Sequence, residues 1–295
     1  MLLEEATPFD SKDYIYELKL DGIRCLVYLE NNKTTLINKR GKDVTNIYPE
    51  LSNIHKLCKK KCILDGEIVL IDEGKPNFYE LQRRSLLTDK LKIEYYAKNK
   101  PINFSAFDIL YYDGFDLTKK SLLERKQILL EKIKISPRLS ISRYIENEGT
   151  AFFNLTKEKG LEGIVAKEKS SKYFFNTRAK SWLKIKNYIE EDLIICGYTI
   201  VDDMPKDVVL GYYDTNGILI FRNIVYKGIN RFENKILINA KKGKKLFDIP
   251  NVKWILPTIV CCVRYMEKTK NNGMRQPVFK GIRDDKLAKD CILSI

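Results

Sequence analysis

The most informative segment of the sequence is Glu17-Leu18-Lys19-Leu20-Asp21-Gly22-Ile23-Arg24. A β-type run leads into Lys19, and an acid and a glycine follow it closely, so the pattern predicts a strand that ends at the lysine and a tight turn after it. This arrangement would place an amine at the mouth of a pocket. Taken alone, the same pattern is more typical of a charged β-turn, so its meaning depends on the rest of the chain.

The residues around this stretch predict a domain in which short strands alternate with helical segments. Strands are predicted at 15–19, 24–29, 34–38, 62–71, 102–110, 163–167 and 181–186, with a turn at 30–33. Apolar spacing predicts amphipathic helices at 48–60 and 121–134. The second begins at Ser121 and has Glu124 three residues later, which is a capping-box pattern. We therefore expect an α+β domain built around antiparallel sheet.

The pattern of predicted secondary structure changes near residues 187–191. Short strands are predicted at 193–201, 208–213, 218–225 and 258–266, with a turn at Thr215-Asn216-Gly217 and one helix at 230–240. About five strands and a single helix suit a small β-barrel of the oligonucleotide-binding (OB) type. The predicted organisation is therefore two domains, residues 1–188 and 189–295.

Composition sets further bounds. A chain of 295 residues is long enough for two domains that each bury a core. The sequence has no apolar run of membrane-spanning length and no secretory signal at Met1, so a cytosolic protein without a membrane partner is expected. The formal net charge of +14 favours a polyanionic partner such as nucleic acid, although a Lys-rich genome gives the same excess without any functional cause.

The seven cysteines are odd in number and scattered, which favours reduced thiols over a disulfide scaffold. His55, Cys58 and Cys62 have helical spacing and resemble three zinc ligands. Zinc sites need a fourth ligand, and none is apparent nearby, so a zinc site is a weak alternative here.

A set of further motifs accompanies Lys19 in a fixed order. They are Lys39-Arg40-Gly41, Leu64-Asp65-Gly66-Glu67, Phe107-Asp108-Ile109-Leu110, Glu162-Gly163-Ile164-Val165-Ala166-Lys167, Trp182-Leu183-Lys184-Ile185-Lys186 and, near the end, Arg283-Asp284-Asp285-Lys286. The order resembles that of the covalent nucleotidyltransferase superfamily of ligases and capping enzymes, across nearly the whole chain. The resemblance implies an adenylation (nucleotidyltransferase) domain followed by an OB-fold domain.

The sequence around these motifs is similar to that of the ligase domain of bacterial ligase D. The similar segments are Phe78 to Arg83, Gly160 to Lys186, and Trp254 to Lys286. The resemblance implies a stand-alone ATP-dependent DNA ligase for nicked or broken double-stranded DNA, a bacterial cytosolic location, and repair by non-homologous end joining with the end-binding protein Ku and a separate end-joining polymerase. One departure is Cys262, which stands where an acidic residue is expected.

The resemblance also implies residue roles. It makes Lys19 the nucleophile that takes AMP from ATP, with Asp21 beside it. It assigns Glu162 to a divalent metal, Mg²⁺ or Mn²⁺, and Glu67 to the ribose side and the metal. The remaining nucleotide-binding residues it implies are Glu17 near the adenine amine, Phe107 stacked on adenine, Arg24 and Arg40 near ribose or the 5′-phosphate, Lys167, and Arg283 with Lys286 at pyrophosphate.

The chemistry of lysine agrees with this reading. An ordinary lysine has a pKa near 10.4, so only about one in a thousand is neutral near pH 7.4. Partial burial and nearby cations would free more of the amine. Lys184 and Lys186 alternate with apolar residues on a predicted strand, so both amines should point to the same face, where they are candidates for holding the α-phosphate.

Three alternatives stay open at this point. An RNA ligase or a guanylyl-transferring capping enzyme shares the lysine motif and the barrel, and a non-catalytic nucleic-acid-binding module would need only the charge and the barrel.

The lysine-rich segment 241–245 is either a phosphate-contacting loop or a solvated one. If the motifs are divided between two domains, a hinge is expected near Asn187 to Glu191.

Overall fold

In the computed structural model the chain forms two compact units, Met1–Asn187 and Tyr188–Ile295, which divide one residue before the predicted boundary. The structure describes residues 1–226, 228–269 and 272–293. Each unit has its own apolar core, and both cores are built mainly from strand residues. The resulting class is α+β, as predicted.

The first unit has thirteen strands and four helices. The strands are β1 (Leu2–Glu5), β2 (Tyr14–Leu18), β3 (Ile23–Glu30), β4 (Lys33–Asn38), β5 (Cys62–Val69), β6 (Ile71–Asp72), β7 (Lys75–Pro76), β8 (Asn103–Tyr112), β9 (Phe115–Asp116), β10 (Leu139–Ile141), β11 (Tyr144–Glu146), β12 (Gly163–Glu168) and β13 (Arg178–Lys186). The helices are α1 (Phe78–Ser85), α2 (Lys90–Asn99), α3 (Leu122–Lys132) and α4 (Gly149–Glu158).

Two main sheets form this unit, and each contains a linear order of five strands. One has the order β1-β13-β12-β2-β11, and the other has the order β10-β8-β5-β3-β4, with β9 paired to β8. Most pairings are antiparallel, as predicted; β1 with β13 and β10 with β8 are parallel. The strand β12 lies between β2 and β13, so one strand aligns the segments that contain Lys19 and Lys186.

The predicted helix at 121–134 is confirmed, and its capping box is present. The Ser121 hydroxyl accepts from the backbone N–H of Glu124, and the Glu124 carboxylate accepts from the backbone N–H of Ser121. The two-residue turn after Glu30 is also confirmed, because Glu30 pairs directly with Lys33. The sequence was sufficient to predict both features, because the hydrogen bonds of each form between residues only a few positions apart.

The predicted helix at 48–60 is wrong. Three short 3₁₀ segments occupy this region, Thr45–Ile47, Pro49–Leu51 and Ile54–Leu57. The buried residues Tyr48, Leu51 and Ile54 recur every three positions, and a repeat of three matches the 3₁₀ helix rather than the α-helix.

The described residues of the second unit form a sheet of five antiparallel strands and one α-helix. The strands are β14 (Ile189–Val201), β15 (Met204–Tyr213), β16 (Leu219–Val225), β17 (Lys253–Tyr265) and β18 (Val278–Arg283), and the helix is α5 (Arg231–Asn239). The strand order is β16-β15-β14-β17-β18. The predicted turn at Gly217 joins β15 to β16, and Gly217 has a positive φ of 78° there.

A buried ion pair joins α3 to β8 within the first unit. Asp108 on β8 accepts two hydrogen bonds from Arg125, at 2.8 and 2.9 Å, and both side chains are fully buried. Arg125 also donates to the backbone carbonyls of Lys120 and Ser171. Such a pair is costly to break from one side, because the remaining charge is left buried without a partner.

We expect Arg125→Met to lower the free energy of unfolding of the first unit by about 3–5 kcal/mol, because it strands the Asp108 carboxylate. Urea unfolding followed by far-UV circular dichroism measures the change. The control is Lys90→Met, which removes a surface lysine whose side chain is 89% exposed and whose partner Glu94 is 4.0 Å away. Similar losses for both variants would contradict the prediction.

Candidate active site

The site is built where β2 ends. The backbone N–H of Lys19 donates to the carbonyl of Gly163 at 2.9 Å, which ties the lysine to the start of β12. Its ammonium lies 2.8 Å from Oε2 of Glu162, and the other oxygen of the same carboxylate lies 3.2 Å from the ammonium of Lys186. One carboxylate therefore holds Lys19, which follows β2, beside Lys186, which ends β13.

Two glycines make this close arrangement possible. A Cβ on Gly22 would lie 2.3 Å from the carbonyl oxygen of Ile68, so the turn after Lys19 approaches the backbone of β5 directly. Gly163 has φ +133°, and a Cβ there would lie 2.1 Å from the carbonyl oxygen of Ile185. Any larger residue at either position would push the strands apart.

A pocket opens beside Lys19 within the first unit. Besides Lys19, its lining combines four further charged side chains, two aromatic rings and several apolar groups. The lining residues are Leu3, Glu17, Leu18, Lys19, Leu20, Arg24, Glu67, Phe107, Ser142, Val165, Lys167 and Trp182. Six residues that the sequence predicts for the site are therefore together here: Glu17, Lys19, Arg24, Glu67, Phe107 and Lys167.

Glu17 is buried at the pocket wall with two lysine partners. Its carboxylate forms ion pairs with Lys126 and, at 3.0 Å, with Lys167, and it accepts from the hydroxyl of Ser142 at 2.9 Å. Burial alone would raise the pKa of Glu17, but the two ammonium groups and their hydrogen bonds bring it below its usual range. Glu17 is therefore ionised in the folded protein at neutral pH.

Lys167 lies between two aromatic rings. Its ammonium is 4.3 Å from the ring centroids of both Phe107 and Trp182, and the two rings meet edge to face at 6.2 Å. Such contacts stabilise a cation that has little access to water. Burial nevertheless lowers the pKa of Lys167 to about 8, although Glu17 opposes the shift.

Arg24 reaches the pocket from β3 and is held from behind. Two of its nitrogens donate to the Asp65 carboxylate at 3.0 and 2.7 Å, and one also donates to the hydroxyl of Tyr173. The guanidinium lies 5.5 Å from the centroid of Phe107. Asp65 and Tyr173, which are buried and bonded to each other at 2.7 Å, therefore fix where the guanidinium points.

Glu67 and Lys186 both have altered acidity. Withdrawal from water raises the pKa of Glu67 to about 8, although Lys19 and Arg24 act in the other direction. Glu67 is therefore mostly protonated at neutral pH. Burial also lowers the pKa of Lys186, with Glu162 opposing the change and Lys19 adding to it.

Five predicted residues of the first unit lie outside the pocket lining. Two of them, Glu162 and Lys186, form the ion pairs beside Lys19, and the other three are Arg40, Lys184 and Asp21. Arg40 is exposed in the turn after β4, and its backbone N–H donates to Asn38. Lys184 is 3.6 Å from Glu5 on the neighbouring β1. Asp21 is half-buried in the turn that follows Lys19.

Arg283 and Lys286 lie in the second unit and share a carboxylate. Asp192 on β14 is 3.3 Å from Arg283 and 3.0 Å from Lys286, and Arg283 also pairs with Asp285. Asp192 lies directly across from Cys262 in the β14–β17 pairing. An acid is thus present beside Cys262, on the neighbouring strand.

Sequence reasoning missed Lys126, Ser142 and Asp192. Lys126 and Ser142 contact Glu17 from elements that contain none of the recognised motifs, and Asp192 lies 91 positions before Arg283. The zinc alternative finds no support in the described residues, which contain no group of three or more His, Cys, Asp and Glu able to hold a metal. None of the described helices combines the length and apolar character that crossing a membrane requires.

Comparison with protein families decides the class of this site. Residues 3–186 match the family model described as "ATP dependent DNA ligase domain", and residues 204–286 match "ATP dependent DNA ligase C terminal region". The chain belongs to the ATP-dependent DNA ligase family. The two matches lie on the two compact units.

Individual relatives agree with the family. The SPbeta prophage-derived DNA ligase-like protein LigB of Bacillus subtilis is 31% identical over 278 residues, which are 94% of this chain and 95% of that protein. The multifunctional non-homologous end joining DNA repair protein LigD of Mycobacterium tuberculosis is 27% identical over an alignment of 299 positions, which covers 96% of this chain but only 38% of LigD. The chain therefore spans much less than half of that multifunctional relative.

A solved structure confirms the predicted fold class. A mycobacterial DNA ligase D complexed with ATP and MES aligns with a TM-score of 0.59 and 25% identity, covering 99% of this chain and 97% of that one. The predicted resemblance to the ligase domain of ligase D, with a nucleotidyltransferase domain followed by an OB-fold domain, is thereby confirmed.

The acidity of Glu67 has a consequence for stability. Between the ordinary value of 4.5 and pH 8 the folded chain keeps a proton on Glu67 that the unfolded chain releases. The stabilisation from this proton is complete below the lower value and is lost as pH rises through about 8. We expect the free energy of unfolding to fall with pH in this window, by at most about 1.4 kcal/mol per pH unit, and Glu67→Gln to flatten that fall.

Urea unfolding of the wild type and of Glu67→Gln at several pH values from 5 to 8 measures the difference. The exposed Glu94→Gln variant on α2 is the control and should keep the wild-type pH dependence. Parallel curves for the wild type and Glu67→Gln would show that Glu67 does not bind the proton.

Proposed function

We propose that the chain seals 5′-phosphate/3′-hydroxyl breaks in double-stranded DNA through a covalent lysyl-AMP intermediate on Lys19. The observation that supports this proposal is the position of Lys19, which borders the pocket and shares the Glu162 carboxylate with Lys186. An amine that is held beside a second lysine and a carboxylate has both a proton acceptor and a cationic neighbour for phosphate.

The first transfer in this proposal is from ATP to Lys19. The Lys19 amine attacks the α-phosphorus of ATP, a nitrogen–phosphorus bond forms, and the bond to pyrophosphate breaks. The Glu162 oxygen at 2.8 Å is placed to accept the proton that the amine loses. Lys186, with Lys184 on the same strand, then holds the oxygens of the α-phosphate.

The pocket walls select and orient the nucleotide. Phe107 offers a ring face for adenine, and Glu17 with its lysine partners forms the polar end of the pocket near the adenine amine. Arg24, which is held by Asp65, points a fixed guanidinium at ribose or phosphate. Arg40 is assigned to the 5′-phosphate strand, and Arg283 with Lys286 to the departing pyrophosphate.

The carboxylates near Lys19 fit a divalent ion. Glu162 is near enough to Glu67 for its charge to help raise the pKa of Glu67. Two carboxylates together with substrate phosphates form the oxygen donor set that Mg²⁺ or Mn²⁺ takes. A bound ion would neutralise charge on the phosphates. Glu67 would have to release its proton to serve as a ligand, so metal binding should be accompanied by proton release.

Two further transfers complete the reaction. AMP moves from Lys19 to the 5′-phosphate at the break, and the 3′-hydroxyl then attacks that phosphate and releases AMP. Because the recognised motifs lie on both units, we assign a hinge to residues 187–191.

Incubation with α-labelled ATP and Mg²⁺ should give a labelled band on a denaturing gel, because the phosphoramidate at Lys19 survives denaturation. Lys19→Ala should abolish the band, and so should Lys19→Arg, which keeps a cation beside Glu162 but loses the nucleophile. The exposed Lys98→Ala variant on α2 is the control for lysine loss and should be labelled like the wild type.

Other outcomes identify other functions. Labelling with GTP alone would indicate capping chemistry, and sealing of RNA but not of DNA would indicate an RNA ligase. Absence of a band with either nucleotide, from protein that mass spectrometry shows to be free of AMP, would contradict the ligase mechanism and favour a nucleic-acid-binding module.

We further propose a role in non-homologous end joining together with Ku and a separate end-joining polymerase. The support is the likeness to LigD proteins whose names carry that role. If Ku recruits the chain to DNA ends, bacterial Ku should increase joining of blunt linear DNA by about tenfold or more through local concentration, while sealing of an isolated nick should change little. Equal effects on both substrates, or no effect at any ratio, would contradict the role.

A further inference from the structure

A second cavity lies in the first unit and adjoins the pocket beside Lys19. Its volume is about 850 Å³, which is in the size range of small-molecule sites. Its described lining comes from residues 126–144, which include the end of α3 and the strand β10. This lining comprises three basic side chains, four aliphatic ones, a tyrosine and two serines, and no acidic residue is among them. The cavity therefore combines apolar surface with an excess of positive charge.

The apolar part of the lining is only partly withdrawn from water. Ile133 is buried, with 4% of its surface exposed, whereas Leu130 is 54% exposed and Ile135 is 68% exposed. Ile141 on β10 is half-buried. A ligand with an apolar body would cover these exposed groups, and the removal of apolar surface from water favours binding.

Two of the three basic side chains are available to an anion. Lys134 and Arg143 are exposed, and neither forms an ion pair with a carboxylate in the part of the chain that the structure describes. The third, Lys126, is 1% exposed and pairs with Glu17. A guanidinium and an ammonium beside apolar surface suit a carboxylate, a sulfonate or a phosphate. The lining therefore fits an amphipathic anion, which has an apolar body and one such acidic group.

The cavity shares a wall with the pocket beside Lys19. Ser142 lines both, and its hydroxyl donates to the Glu17 carboxylate at 2.9 Å. The Lys126 ammonium donates to the backbone carbonyl of Ser142 at 3.3 Å and forms an ion pair with the same Glu17 carboxylate. Two of the side chains that hold Glu17 therefore belong to the lining of the second cavity.

The backbone at this wall connects the two main sheets. The strand β10 pairs with β8 in one sheet, and β11 pairs with β2 in the other. Ser142 and Arg143 are the two residues between β10 and β11, and the backbone N–H of Ser142 donates to the carbonyl of Ala106 on β8 at 2.8 Å. Tyr144, which also lines the cavity, lies directly across from Glu17 in the β11–β2 pairing. A ligand in the cavity would thus contact the backbone next to Glu17.

We propose that this second cavity binds an amphipathic anion and that the bound anion weakens nucleotide binding in the pocket beside Lys19. The anion attracts the Lys126 ammonium, which otherwise pairs with Glu17 at the polar end of that pocket. The weakening of nucleotide binding rests on the proposed function, whereas the binding of the anion does not. By linkage, a bound nucleotide weakens anion binding by the same factor.

A macromolecule fits this cavity less well than a small molecule does. A standard protein interface covers about 800 Å² on each partner, whereas residues 126–144 alone supply the described lining. A DNA phosphate would contact the exposed cations but would leave the aliphatic groups uncovered. A small amphipathic anion is the occupant that uses both parts of the lining.

The first test uses the fluorescent probe anilinonaphthalene sulfonate, which carries an aromatic body and one sulfonate. Its titration into the full chain should show saturable binding. Arg143→Gln and Lys134→Gln should each raise the dissociation constant about fivefold or more, because each removes a charged contact. Leu130→Glu should also raise it, because an exposed apolar contact becomes a repelling charge.

The control for this test is Lys132→Gln, which removes a lysine of α3 that is outside the lining and pairs with Glu131 at 3.6 Å. It should bind the probe like the wild type. Equal affinity in the wild type, Arg143→Gln and Lys134→Gln would overturn the proposal, and so would an equal loss of affinity in Lys132→Gln.

The second test measures the coupling with ATP in EDTA, which withholds the divalent ion and so prevents adenylation. The dissociation constant of the probe should rise about fivefold or more and reach a plateau as ATP increases. In Lys126→Met, which lacks the shared ammonium, ATP should no longer change it. A rise without a plateau would show that the probe and ATP compete for one pocket, and it would overturn the second site.

Equilibrium dialysis with labelled ATP separates the two possible failures. If ATP binds but leaves the affinity of the probe unchanged, the coupling is wrong and the proposed nucleotide pocket stands. If ATP does not bind, the proposed nucleotide pocket is wrong and the coupling falls with it. A short duplex DNA should not displace the probe; displacement that Arg143→Gln abolishes would assign these cations to nucleic acid and overturn the small-molecule site.

Discussion

The shared carboxylate of Glu162 is the interaction on which the site depends. Lys19 and Lys186 are both cations and would repel each other. Lys19 follows β2 and Lys186 ends β13, and these two strands do not pair with one another. The strand β12 solves both problems, because it pairs with each of these strands and begins one residue after Glu162. Charge balance and sheet register therefore bring Lys19 and Lys186 together.

The buried carboxylates around the pocket are also paired with cations. Buried charges persist only when they are paired, and Glu17, Asp65 and Asp108 each have a cationic partner. Two of these pairs include side chains that line the pocket, Glu17 with Lys167 and Arg24 with Asp65, so ionic contacts as well as apolar packing position the pocket wall. The cost is that loss of one partner leaves a buried charge, which links stability of the first unit to integrity of the site.

The sequence predicted the strands and the motif residues better than the partners of those residues. Strands and the Ser121 capping box depend on neighbours within a few positions, so local patterns report them. The region 48–60 was read with the α-helical period, although its buried residues recur every three positions. Helices α1, α2 and α4 were not predicted. Lys126 contacts Glu17, and Asp192 contacts Lys286. Both partners are far away in the sequence, so no local pattern reveals these contacts.

The two tryptophans fall one in each unit, Trp182 in the first and Trp254 in the second. Trp182 lines the pocket next to Lys19 and lies beside the Lys167 ammonium, whereas Trp254 lies near Phe247 on the OB-fold sheet. A cation close to an indole shifts its emission, so the intrinsic fluorescence of this chain contains one optical signal from the pocket and one from the second unit. Replacing either tryptophan with phenylalanine leaves a single-site reporter, without any added dye.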